Sequence, residues 1–220
     1  GPAKVAQAEA KAVRELKRDI EATLCSTNDR TVEDGAGAVY GLRGLGDWID
    51  SAGPSDVPAA YRTPTASIHS TGALAESSFN DLITSIYRVT GTTNNLTLVA
   101  DTALRRVIAD YARTSGSTNT VYRQVTQSAD SKTIKLSVEM YESDHGMVSI
   151  VNMNPDCAPD TTNKDSGYLL NPDYYGVAEL ISLGSSRLPN LGGGERGLVD
   201  CTLTLLMNHP GAHGKITAIA

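Results

Sequence analysis

The sequence is short of positive charge. Its 220 residues carry 19 Lys and Arg against 25 Asp and Glu, which leaves a formal net charge of −6 at pH 7. Such a chain lacks the basic field that draws a protein onto nucleic acid. Its one Arg-Arg pair, Arg105-Arg106, falls in a helical pattern and reads as a solvated face. Cysteine is scarce as well. Cys25, Cys157 and Cys201 are odd in number and include no C-x-x-C pair. That argues against a disulfide framework or a zinc site and fits a reducing compartment. No apolar run approaches the roughly 18 residues that a membrane span requires, and no signal-peptide pattern is visible. An initiator Met is absent, and Gly1-Pro2 reads as the scar of a removed tag. No internal repeat occurs. Asn95-Leu96-Thr97 fits the glycosylation sequon, but without a secretory signal it reads as a chance match.

What is present is an alternation of helical and extended patterns. Residues 4–26 predict a long charged helix with a narrow apolar stripe of Val13, Leu16, Ile20 and Leu24. The Gly-rich stretch 30–46 reads as a mobile or extended crossing segment, followed by Trp48, the single tryptophan. Residues 51–72 read as loop. Residues 73–90 predict a second helix with Phe79, Leu82, Ile83, Ile86 and Tyr87 on one face and Gly91 as its stop. "LTLVA" (96–100) predicts a short buried strand. Asp101 is placed to cap a third helix whose core stripe is Leu104, Val107, Ile108 and Tyr111, with Gly116 beyond its end.

Residues 114–120 read as loop. In "KTIKLSVEMY" the residues Ile134, Leu136, Val138 and Met140 alternate with Lys135, Ser137, Glu139 and Tyr141. That predicts a strand with the first set on its apolar face. "MVSIVNM" predicts its partner, with Val148 and Ile150 inward, across a hairpin loop of about five residues, "ESDHG". "YLL" reads as an apolar strand ending at Asn171-Pro172, and residues 174–183 as a short helix. "LVDCTLTLLM" predicts a last long strand with Val199, Cys201, Leu203, Leu205 and Met207 on one face. The class these patterns define is α+β with a largely antiparallel sheet.

Three motifs carry the residue types of a chemical site. "GGGERG" (192–197) fits G-x-G-x-x-G, but the nucleotide fingerprint needs a strand before it and a helix after it. Here Leu188-Pro189-Asn190 precedes and a strand follows, so it reads as a loop. His209 and His213 are four apart, the zinc spacing on a helix, yet Pro210 and Gly211 between them forbid that helix. Glu142, Ser143, Asp144 and His145 supply a nucleophile, a base and acids. A triad draws its members from separated segments that converge, whereas consecutive residues at a hairpin tip diverge. Asp and Gly at such a tip have the chemistry of a turn, with His145 as a solvent-facing or cleft-lining ring. No catalytic, cofactor-binding or metal residue is therefore assigned. A small hydrolase using Asp144 and His145 is the rival reading, and a deep pocket converging on His145 would be its mark.

The order of motifs resembles the major capsid protein of tailed bacteriophages, over roughly residues 14–220. "RELKRDIEATL" is similar to the end of that family's spine helix, and "GLGDWID" to the Gly–Leu–x–x–Trp–Ile stretch after it. "LAESSFNDLITSIYRVTG" with "LTLVADTALRRVIADYA" resembles its helix–strand–helix unit. "YESDHGMVSIV" resembles its Ser-Asp-aromatic-Gly hairpin, "YLLNPDYY" its strand and proline turn, and "TLTLLMNHPGAHGKI" its closing strand. His145 stands where an aromatic is usual, and Thr92 where a second glycine often follows the helix. The resemblance implies an α+β capsid fold with a peripheral domain (spine helix plus long thin sheet) and an axial domain (central sheet flanked by helices). Residues 3–46 would be peripheral, 47–120 the first part of the axial domain, 121–158 a peripheral hairpin, and 159–220 the return through the axial domain and the closing strand.

It further implies a structural subunit of an icosahedral shell around packaged double-stranded DNA, assembled in the host cytoplasm. Its partners would be copies of itself in pentamers and hexamers, with scaffolding or portal proteins. No cofactor, no membrane and no sequence-specific nucleic-acid binding are expected. The same fold allows a second expectation, the shell of an encapsulin-like nanocompartment. Because the sequence opens at the spine helix, the family's N-terminal arm and extended loop are expected to have been removed by cloning or proteolysis, leaving a monomer or small ring.

Overall fold

A computed structural model describes residues 2–93, 95–111, 139–158, 165–189, 192 and 196–219. The chain starts as a helix, α1 (Pro2–Leu24), and a one-turn helix α2 (Leu45–Trp48) follows the crossing segment. Next come the two-residue strand β1 (Ile68–His69), helix α3 (Glu76–Thr90), strand β2 (Leu96–Ala100) and helix α4 (Thr102–Tyr111). The remaining elements are strands: β3 (Met140–Ser143), β4 (Gly146–Asn152), β5 (Gly167–Leu170), β6 (Tyr175–Leu188), β7 (Arg196–Met207) and β8 (Gly214–Ile216).

Local chemistry explains where these elements start and stop. Gly91 ends α3 in a left-handed conformation, φ 71°, where its N–H reaches the Tyr87 carbonyl at 2.7 Å. A β-carbon is penalised there, so glycine is the natural stop. Asp101 starts α4. Its Oδ1 accepts from the Thr102 N–H at 2.6 Å, and its carbonyl accepts from the Arg105 N–H at 2.9 Å. Gly116, the expected end of this helix, lies outside the described residues, as do residues 114–120.

Six strands form one mixed sheet in the order β1-β8-β5-β2-β4-β3, and β6 with β7 forms a separate two-stranded ribbon. The sheet is less antiparallel than the sequence suggests, because β1 runs parallel to β8 and β2 parallel to β4. It separates two apolar cores. On one side Phe79, Leu82, Ile83 and Ile86 of α3 and Leu104 and Ile108 of α4 pack on Leu96, Leu98, Val148, Ile150 and Leu169. On the other side Cys25, Leu45, Ile49 and Met153 pack on Tyr168, Leu170 and Leu205. Strand β5 feeds both, so all four of its residues are buried. That is why "YLL" reads as an unbroken apolar run rather than as an alternation.

Three expectations are corrected. The loop between β3 and β4 is two residues, Asp144 and His145, because Ser143 already pairs with Gly146. The face of β3 is inverted at its described end: Met140 is exposed and Tyr141 buried. Tyr141 lies opposite Val148 in the ladder, and pairs in register share a face. Its ring meets Phe79 edge-on at 5.2 Å, while its hydroxyl contacts Asn80 Oδ1 at 2.9 Å and Glu76 Oε1 at 3.1 Å. Ile134, Leu136 and Val138 lie outside the described residues. Tyr174 closes a 3-10 turn (Pro172–Tyr174), and residues 175–183 are not helical but belong to β6. The Ala-Glu-Leu stretch favours a helix locally, and the long ladder with β7 overrides it. The hairpin β3–β4 joins β2 in the six-stranded sheet, and the ribbon β6–β7 packs on α1.

Candidate functional site

The Ser143–Gly146 turn holds the residues that a hydrolase would use, and its geometry disperses them. Ser143 Oγ donates to the Gly146 carbonyl at 2.8 Å and accepts the His145 N–H at 3.3 Å. Asp144 points to solvent. The His145 ring stacks on Tyr87 of α3 with centroids 4.6 Å apart and an angle of 10°, and its Nε2 meets Thr84 Oγ1 at 3.1 Å. Thr93 Oγ1 donates to the His145 carbonyl. The imidazole therefore fastens the hairpin to α3 and faces neither Ser143 nor Asp144. Tyr87, expected in the core stripe, sits at its edge, 40% exposed, as the platform for this ring.

The histidine pair resolves in a similar way. His209 Nδ1 accepts the Gly211 N–H at 3.1 Å at the head of a 3-10 turn, Pro210–Ala212. His213 is fully buried, and its Nδ1 accepts the Asn171 N–H at 3.1 Å. Burial pushes its pKa down to about 4, against the pull of the Tyr174 carbonyl. Each ring spends a nitrogen on the backbone. Among the described residues no three His, Cys, Asp or Glu side chains gather as a metal site. In "GGGERG", Arg196 and Gly197 open a strand, so no helix follows them, and residues 193–195 lie outside the described residues.

A polar cluster that sequence reasoning missed holds the crossing segment. Arg43 is only 5% exposed and reaches Asp29 at 2.7 Å, Asp56 at 3.0 Å and Asp47 at 3.1 Å, while its guanidinium lies 4.7 Å from the centre of the Trp48 ring. Burial works against the Arg43 charge, and hydrogen bonds to Asp29 and Asp56 more than restore it. The same bond holds the Asp29 carboxyl below the usual range, whereas desolvation raises Asp47. Lys215 of β8 reaches the Gly46 carbonyl at 2.8 Å and Asp50 at 3.0 Å. The sequence signal was the spacing of Asp29, Asp47, Asp50 and Asp56 around one arginine, which reads as surface charge until the fold brings it together.

The ribbon offers a different kind of surface. In β7 the residues Val199, Cys201, Leu203, Leu205 and Met207 face inward, as the alternation predicts, with Leu205 buried. The opposite face carries Leu206, Leu198, Ile181 and Leu188, each exposed by nearly half. Register puts Ile181 against Thr202, Leu198 against Ser186 and Leu188 against Arg196, so these side chains share one face. Leu180, at an irregularity of β6, is 84% exposed. Reading 174–183 as a helix hid half of this surface. A two-stranded ribbon with one open apolar face is marginal alone and gains from a partner.

Such a surface belongs to a protein that works by association. The chain belongs to the SU10 major capsid protein family, which matches residues 2–220. It is a structural subunit of a phage capsid, not an enzyme. Its place is the virion shell, and self-association into that shell follows from the family. This removes the hydrolase reading of Asp144 and His145 and favours a capsid over a nanocompartment. No curated protein matches the chain.

Proposed function

We propose that copies of this chain assemble into an icosahedral shell enclosing packaged double-stranded DNA, as pentamers and hexamers formed in the host cytoplasm. In this reading α1, the crossing segment and the ribbon form the peripheral part. The six-stranded sheet with α3 and α4 forms the axial part. The ribbon's open face is the observation that carries the reading: its apolar residues have no cover among the described residues, and a neighbouring subunit supplies one. DNA is contained rather than read, which agrees with the net charge of −6. Scaffolding and portal proteins are the further partners that such assembly calls for.

Electron microscopy of the purified protein over a range of concentrations tests this. Five- and six-membered rings or closed shells are the expected result. Particles of monomer size at every concentration would overturn it.

A further inference from the structure

The crossing segment forms a projecting loop. Thr31 and Gly41 close its base through two backbone hydrogen bonds, of 3.2 Å and 3.0 Å. Thr31 Oγ1 donates to the Val39 carbonyl at 2.7 Å. Asp34 Oδ1 accepts the Ala36 N–H at 2.8 Å and so shapes the tip. Behind the base stands Arg43 with its carboxylates, and the Gly44 N–H bonds the Asn28 carbonyl at 3.0 Å. The loop is thus fixed at its root and open along its length. Val32, Val39 and Tyr40 are 57%, 77% and 74% exposed. Val32 and Tyr40 each lie one position inside the bridge, opposite one another, and Glu33 and Asp34 add negative charge beside them.

A complementary groove lies at the other end of α1. It has a volume of about 390 Å³ between the first turns of α1 and the far end of the ribbon. Val5, Ala8 and Val199 line it with apolar surface, and Lys4, Arg187 and Arg196 bring positive charge. Its one carboxylate, Glu9, accepts a hydrogen bond from Ser185 Oγ.

The loop does not occupy the groove of its own chain: none of its residues lines the groove, and Val32, Val39 and Tyr40 stay exposed. We infer that the 31–41 loop of one subunit docks in the α1–ribbon groove of a second copy, with Tyr40 as the apolar anchor and Glu33 facing Arg187 and Arg196. This rests on the self-association proposed above and names the surfaces that carry part of it. The contact joins unlike surfaces, so it is head-to-tail, the type that closes rings.

Four variants of the whole chain test it, compared with the parent by sedimentation velocity over a range of concentrations. Tyr40→Ala is expected to raise the half-association concentration by about tenfold or more, as loss of a buried aromatic anchor does. Glu33→Lys and Arg187→Glu each weaken association, and the double variant recovers much of the loss. Thermal melting of each variant is expected to match the parent, since these side chains are exposed. Association unchanged by Tyr40→Ala, or a double variant no better than the singles, would overturn the docking while leaving the shell reading intact. A parent that does not associate at all would overturn both.

Discussion

The six-stranded sheet and the ribbon both carry apolar strands, and they meet water differently. β5 is covered on both faces by the subunit's own side chains. β7 is three times as long and has one buried residue, Leu205. At β5, burial is completed inside one chain, so its side chains report on folding. In the ribbon, burial is left incomplete, so its outer side chains report on association. The same apolar residue type thus carries opposite meanings in the two regions.

Phe79→Ala breaks the comparison hardest on the sheet side. The ring is fully buried among α3, Tyr111 and Tyr141, and its loss is expected to lower stability by about 3–5 kcal/mol. Urea denaturation measures this, and a loss under about 1 kcal/mol would mean that the two helices do not seat on the sheet.

The next effect is a pH dependence. Burial lowers the pKa of His213 from 6.5 to about 4, so the folded chain keeps this ring neutral where the unfolded chain takes up a proton. Stability is therefore full above pH 6.5, falls as pH drops towards 4, and levels off below that. The total loss from this group is about 3 kcal/mol. Replacing His213 with Asn should flatten that part of the profile. An equal slope in both proteins would assign the loss to other groups.

His145→Ala comes third. Removing the ring stacked on Tyr87 is expected to cost about 1 kcal/mol, read from the thermal midpoint. The smallest folding effect belongs to Leu198→Ser on the open face of the ribbon, within about 0.5 kcal/mol of the parent. The same change should weaken association in sedimentation. A variant that melts early yet associates normally would reverse the assignment of that face.

The sequence was most legible where one strong local rule agreed with the tertiary environment. Gly91 as a stop, Asp101 as a start, the Leu104 and Ile108 stripe and the inward set of β7 all meet that condition. It was misleading where neighbours decide. Met140 and Tyr141 look like apolar and polar partners in an alternation, yet Tyr141 is drawn inward by Val148, Phe79 and two polar groups on α3. Residues 175–183 carry a helical local preference and are extended only because a matching strand lies alongside. The Asp144–His145 turn was correctly separated from catalysis, but no periodicity announces that His145 would seek Tyr87 across a gap of nearly sixty positions. Arg43 was invisible for a related reason, since Gly-rich flanks suggest mobility and the carboxylates that hold it come from three separate segments.

The place of β8 has a consequence for time rather than for shape. β8 lies between β1 and β5, so its residues reach their places only after the ribbon has been synthesised. Pairing Ile68 with Lys215 closes a very long stretch of chain, and such closures make folding slow. The root of the ribbon depends on that late event: Tyr175 and Met207 rest on the core that contains Tyr168 and Leu170, and Tyr175 also meets His213, next to β8. A newly made chain accordingly gains the correct orientation of its ribbon among the last steps of its own folding, which delays its meeting with other copies until the rest of the subunit is in place.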